Sequence, residues 1–459
     1  MHQLNHNNIT SANYKSFPIP LLRNLQKNEH KHMLNKIVEN FDADLIDGKK
    51  SISTKNDPSY EKVQDYYDGL LNNDPENILE KIENELVYSL AFDTIDEVII
   101  YKINDNIRKI DSIMKDSYFN KKIYQQRIKK PDEASVKKLE LITIRRLKTK
   151  NTNCILFLFS HGIYKTLKRS DKKLILFSCI IDLNKNTLQI KYQSNNVKNL
   201  KNQYNVTLSD VFKEIREIIQ YKVADIDIYD KREIRNYEKN IYLIFKDFSD
   251  DSEKVIKKID TNKDETNLVT DIEDFMTNKL DINLLGLGYD ARNDELINSY
   301  SRRILSIYYQ NVAMKINDNK TFQSYLYAFT FLSSESTRSS TSKGNNEAIY
   351  KDDIFWRLKD LIHTTGRIKS LSVFDRFNKK NPEKVYTLEE LNQLSAASQS
   401  KAKDYSDHVK KLMEETLNID YKVEAMHGGI KLHYNKNLNT NFERGIKNDY
   451  VIAKIVKYL

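Results

Sequence analysis

Cysteine is almost missing from this chain. Cys154 and Cys179 are the only two, and both sit in apolar, strand-like runs, where a free thiol behaves as a small hydrophobe. So low a count excludes a disulfide framework and a cysteine-rich zinc site, and it fits a reducing cytoplasm. Glycine and proline are scarce as well, at 10 and 6 residues. That disfavours sandwiches, barrels and repeats built on many tight turns, and favours long helices beside a modest sheet. No apolar run reaches the length of a membrane span, so no membrane partner is expected. Residues 1–16 are polar, rich in Asn and His, and lack the apolar core of a signal peptide. Walker, Gly-x-Ser-x-Gly and His-Glu-x-x-His motifs are all missing. Gly286-Leu287-Gly288 lacks the third glycine and the Lys-Ser/Thr of a phosphate loop. No cofactor is expected.

What is present is charge and aromatic bulk. The 459 residues carry 74 basic and 65 acidic side chains, net +9, with 28 Tyr and 18 Phe to build cores. A basic balance suits an anionic partner such as nucleic acid. Abundant Lys, Asn, Ile and Tyr also follow from AT-rich codon usage alone, so composition by itself does not decide the matter.

The periodicities predict an α+β protein that is rich in helix, with a mainly antiparallel central sheet in its N-terminal part. Residues 1–16 read as a flexible arm and 17–332 as the main domain: helical over 17–130, sheet over 139–245, helical over 270–332. Helices are expected at Leu21–Phe41, Tyr60–Leu71, from Asp74 to Phe92, at Asn106–Met114 and from a Ser209 cap to Tyr221. Strands are expected at Val98–Ile103, Leu139–Arg146, Cys154–Phe159, Leu174–Ile181, Leu188–Tyr192, Val223–Tyr229 and Ile241–Phe245. His161-Gly162 reads as a turn. Asp294–Ile316 and Phe322–Leu332 read as helices. Ser333–Asn346, rich in Ser and Thr, reads as an interdomain linker.

Residues 347–459 follow the order helix, helix, short break, helix, hairpin. This order resembles a winged helix-turn-helix. Its helices would be Lys351–Phe377, Thr387–Leu394 and Gln399–Leu417, and its wing Tyr421–Tyr434 around Gly428-Gly429. The resemblance implies a recognition helix offering Gln399, Ser400, Lys401, Lys403, Lys410 and Lys411 to nucleic acid, with Lys431 and His433 on the wing reaching phosphate. Asp404, Asp407, Glu414 and Glu415 dilute that face.

Two catalytic constellations compete with this reading. Asp225 and Asp227 alternate along an expected strand, so one face would carry a carboxylate pair able to hold Mg²⁺ in a nuclease, with Glu233 or Glu238 in support. Arg357 and His363 have a spacing permitted in the Arg–His motif of HEPN ribonucleases. In an unbroken helix they fall on different faces, so they would meet only if the helix unwound at Ile362–Gly366.

The sequence therefore reads first as a cytoplasmic nucleic-acid-binding protein, DNA before RNA, with a C-terminal winged-helix-like module and an N-terminal sensing or protein-docking domain. The alternatives are a metal-dependent nuclease or ribonuclease effector, and a non-catalytic subunit of a multi-protein bacterial antiviral defence system.

Overall fold

The computed structural model describes residues 17–25, 60–73, 77–93, 96–103, 139–148, 153–165, 172–198, 204–224, 234–259, 291–332, 338–342, 346–399, 405–434 and 443–459, plus a few isolated positions. In chain order its longer helices are α1 (Glu61–Asn73), α2 (Asn77–Tyr88), α3 (Leu208–Glu217), α4 (Ile234–Ile259), α5 (Ala291–Met314), α6 (Asp353–Thr365), α7 (Leu388–Gln399), α8 (Asp407–Glu415) and α9 (Arg444–Val456). The strands are β1 (Glu97–Lys102), β2 (Glu140–Lys148), β3 (Asn153–Lys165), β4 (Lys172–Asp182), β5 (Thr187–Tyr192), β6 (Ser324–Leu332), β7 (Arg338–Ser342), β8 (Ile368–Asn378), β9 (Thr416–Met426) and β10 (Gly429–Tyr434). The class is α+β, and the registered strand pairs are antiparallel.

Compactness divides the chain into two units: Met1–Lys231 with Gly428–Val456, and Arg232–His427 with Lys457–Leu459. The division does not fall at 333–346. Part of that Ser/Thr-rich stretch is strand β7, paired with β6 from Ala328↔Ser342 to Leu332↔Arg338. A polar run can serve as an edge strand when its neighbour supplies the apolar surface.

In the first unit the strand order is β2-β3-β4-β5-β1-β10. Cross-strand pairs fix which side chains share a face. On one face lie Phe157 and Phe159, Phe177 and Cys179, Ile190 and Tyr192, then Glu97 and Ile99, and at the far strand Lys431 and His433. Helix α3 covers part of it. The Phe212 ring meets Phe177 and Tyr192, and Arg216 sits over Tyr101. The opposite face carries Leu156, Leu158 and Ile180, packed in one buried cluster with Leu21, Leu22, Val63, Tyr67, Ile82 and Leu86. Thr207, rather than Ser209, caps α3, in a reciprocal box with Asp210.

In the second unit the order is β9-β8-β6-β7. Helix α4 lies against the inner face, where Phe245 meets Phe329 and Phe355.

Several expectations are corrected here. Ile241–Phe245 is not a strand but the middle of α4, whose buried Tyr237, Ile241, Ile244, Phe245, Phe248 and Ile256 recur at helical spacing. Phe322–Leu332 is not a helix; Tyr325, Phe329 and Phe331 are buried along β6, which pairs with β8. The expected strand at Val223–Tyr229 begins inside a π-helical turn, Ile218–Ala224, and the rest of it lies outside the described residues. His161-Gly162 is not a turn between strands. It is a bulge within β3, with Gly162 at φ 82° and the register slipping between Ser160 and Ile163. The arm at 1–16, most of Leu21–Phe41 and the helix at Asn106–Met114 fall outside the described residues.

The winged-helix arrangement is not what its residues build. The helix expected over Lys351–Phe377 stops at Gly366, a left-handed C-cap at φ 60°, and the chain turns into β8. The expected recognition helix shrinks to α8, capped by Ser406. The two wing strands are each paired into a sheet, β9 along β8 and β10 along β1. Thr387 does cap α7, in a box with Glu390.

Candidate functional site

Strand β10 enters the first unit because Gly429 permits it. A Cβ there would lie 2.5 Å from the Ile100 carbonyl oxygen, a backbone clash no side chain can relieve. The close approach sets Glu97 opposite His433 on the β1–β10 ladder and opposite Tyr192 on the β1–β5 ladder. The Asp96 carboxylate, one residue earlier, holds the backbone N–H and hydroxyl of Ser194 at 2.6 and 2.7 Å, anchoring the start of β1.

Glu97 is the centre of the site. His433 Nδ1 lies 3.1 Å from its Oε1, and Lys431 Nζ lies 2.9 Å from its Oε2 and 6.0 Å from the Tyr192 ring centroid. Burial alone would raise the Glu97 carboxyl. Contacts from His433, Tyr192 and Lys431, with the Lys431 charge, outweigh that and hold it down at about 2. Burial and then the Glu97 charge push the Tyr192 hydroxyl well above the ordinary tyrosine range. An ionised carboxylate only accepts, so His433 Nδ1 must carry the hydrogen and donate it. In the neutral ring Nε2 is then the free lone pair. The Glu97 side chain is 12% exposed, those of Lys431 and His433 31% and 41%, so the two basic groups reach solvent above a buried acid.

The second notable feature is charge. The first unit holds 43 basic and 33 acidic residues, net +10, whereas the second holds 31 and 32, net −1; together they account for the +9 of the chain. Much of the excess falls, in sequence, at the β3–β4 connection, where Lys165, Lys168, Arg169, Lys172 and Lys173 stand with one acid, Asp171, within nine residues. The register puts Lys165 opposite Lys172 and Tyr164 opposite Lys173.

The other expected site residues are scattered. Gln399 is the exposed last residue of α7; Ser400, Lys401 and Lys403 lie outside the described residues, as do Asp225 and Asp227. Lys410 and Lys411 are exposed on α8, and Lys410 Nζ is 3.8 Å from Asp407. Helix α6 runs unbroken past Ile362, so Arg357 and His363 stay on different faces. Arg357 is exposed, whereas His363 Nδ1 is 2.9 Å from the Tyr242 hydroxyl. Glu238 supports no carboxylate pair; it accepts Arg367 Nε and Nη2 at 2.9 and 2.5 Å. Among the expected nucleic-acid contacts that are described, Lys431 and His433 meet on one carboxylate, and the acid that joins them was not among the expected residues. Its one sequence signal was a carboxylate opening an otherwise apolar strand.

Both thiols are inert interior groups: burial pushes Cys154 up to about 12 and Cys179 well above its usual value. Among the described residues no group of three or more His, Cys, Asp or Glu converges as a metal site, and no helix is long and apolar enough to cross a membrane. No protein-family model, curated protein or solved structure matches this chain.

Proposed function

We propose that the protein binds nucleic acid, and that the first unit supplies the binding surface. The observation that carries this reading is the confinement of the basic excess to that unit, with five cations among the nine residues Lys165–Lys173 that join β3 to β4. A pair of antiparallel strands whose connecting sequence is cationic suits a phosphate backbone, and a two-stranded ribbon fits a major groove. The second unit, near neutrality, fits a docking or regulatory part better than a phosphate-binding one. A cytoplasmic place of action accords with the two buried free thiols.

The test is fluorescence anisotropy of the full chain with labelled duplex and single-stranded oligonucleotides across a salt series. Each phosphate contact contributes about −0.9 to the slope of log affinity against log salt on duplex DNA. Changing Lys165, Lys172 and Lys173 together to Ala should weaken binding and flatten the slope by up to about three units. An unchanged slope would move the interface elsewhere, and Lys410 and Lys411 on α8 are the next candidates. No binding at low salt would end the reading.

A further inference from the structure

Glu97, Lys431 and His433 form a grouping that phosphate binding alone does not require. A surface that only neutralises phosphate gains nothing from a buried carboxylate held between a lysine and a histidine. An acid–base site gains a good deal from it. The carboxylate fixes the tautomer of His433, leaving the lone pair on Nε2 of a ring that is 41% exposed, and keeps an ammonium beside it.

We infer that His433 and Lys431, oriented by Glu97, cleave RNA by transphosphorylation from the ribose 2′-hydroxyl, an inference that rests on the nucleic-acid reading above. His433 Nε2 takes the 2′-hydroxyl proton as the 2′-oxygen bonds to the adjacent phosphorus and the bond from phosphorus to O5′ breaks. The departing O5′ takes a proton from water, and the imidazolium returns one to solvent. The products are a 2′,3′-cyclic phosphate end and a 5′-hydroxyl end, and no oxidant or reductant is consumed. The Lys431 ammonium stands beside the phosphoryl oxygens as their charge grows. Glu97 is a positioning residue that touches no reacting atom.

The placement suits a single strand. Phe177 pairs with Tyr192, and Tyr192 with Glu97, so the site and the β3–β4 hairpin end share one end of the sheet. Lys173 is four positions from Phe177 on the same face by strand alternation. Strand geometry sets it roughly 20 Å from His433, a distance that a short run of nucleotides spans.

The experiment uses the full chain with an end-labelled single-stranded RNA and a DNA of the same sequence, in EDTA, with binding followed by anisotropy in parallel. RNA should be cut to cyclic-phosphate ends and DNA should be bound but left intact. His433→Gln should lower the cleavage rate by about 100-fold or more while affinity falls by less than tenfold. Glu97→Gln should lower kcat with KM little changed, a split that a merely loosened fold would not give. Wild-type protein that binds RNA and never cuts it would overturn this inference and leave the binding reading standing. Cleavage by His433→Gln at the wild-type rate, or cleavage lost in EDTA, would overturn it too. A wild-type chain that binds no RNA would overturn the binding reading for RNA and this inference with it.

Discussion

The Lys191 ammonium lies 4.4 Å from the centroid of the Phe92 ring, wholly buried and, among the described residues, without a hydrogen-bond partner. Its strand, β5, runs through the middle of the first unit, and Phe92 stands in the π-helical turn Ser89–Asp93 after α2.

That arrangement costs stability at neutral pH. Burial lowers Lys191 from 10.5 to about 8, partly offset by the Asp449 charge. The ammonium is therefore disfavoured in the fold by about 3 kcal/mol below pH 8, and the deficit disappears as pH rises towards the unfolded value. Lys191→Met should stabilise the protein by roughly 1–3 kcal/mol at pH 7 in urea unfolding, and the gain should shrink above pH 8. A destabilised Met variant would show that the ammonium holds the core together.

His30 sets the acid limit. Its Nε2 donates to the Leu22 carbonyl and its Nδ1 accepts from the Tyr67 hydroxyl, both at 2.8 Å, which requires the neutral ring. Burial lowers its pKa from 6.5 to about 4, against a smaller opposing pull from the Leu22 bond. Its contribution is complete above pH 6.5 and is lost as pH falls through 4, about 3 kcal/mol in all. Melting temperatures of wild type and His30→Gln should therefore diverge least at pH 4 and most above pH 6.5.

Phe157 is fully buried at the centre of β3, stacked on Phe159 at 6.3 Å between centroids. Phe157→Ala should cost about 3–5 kcal/mol. A soluble variant with unchanged melting would mean that the strand is peripheral.

Gly429→Ala tests the closeness of β10 to β1. The new methyl would meet the Ile100 carbonyl oxygen at 2.5 Å, so the strands must part. The expected loss is about 2 kcal/mol or more, and the Glu97–His433 contact should go with it. Histidine NMR would show whether the His433 Nδ1 proton loses its protection.

The region from Leu139 to Tyr192 was legible because apolar runs and polar turns alternate there at strand length, and β2 to β5 appear where the pattern puts them. Two of the errors, Ile241–Phe245 and Phe322–Leu332, fell on short runs dominated by apolar and aromatic residues. Ile241–Phe245, taken alone, satisfies a strand; its register with Tyr237, Phe248 and Ile256 makes it helix. Of the Glu97 site, the sequence showed that Lys431 and His433 share a strand face. It could not show the acid between them, because Glu97 stands 336 positions away from His433 and only the ladder joins them.

The first unit is interrupted: its sheet includes β10, and β10 follows Arg232–His427 of the second unit in the chain. On a ribosome adding about 5–20 residues per second, β1 would wait roughly 15–65 s for the strand that covers its side. Through that interval β1 offers an open row of N–H and C=O groups to any passing strand. A nascent or truncated chain ending before Gly428 is thus the form in which this protein is most prone to aggregate and most in need of a chaperone.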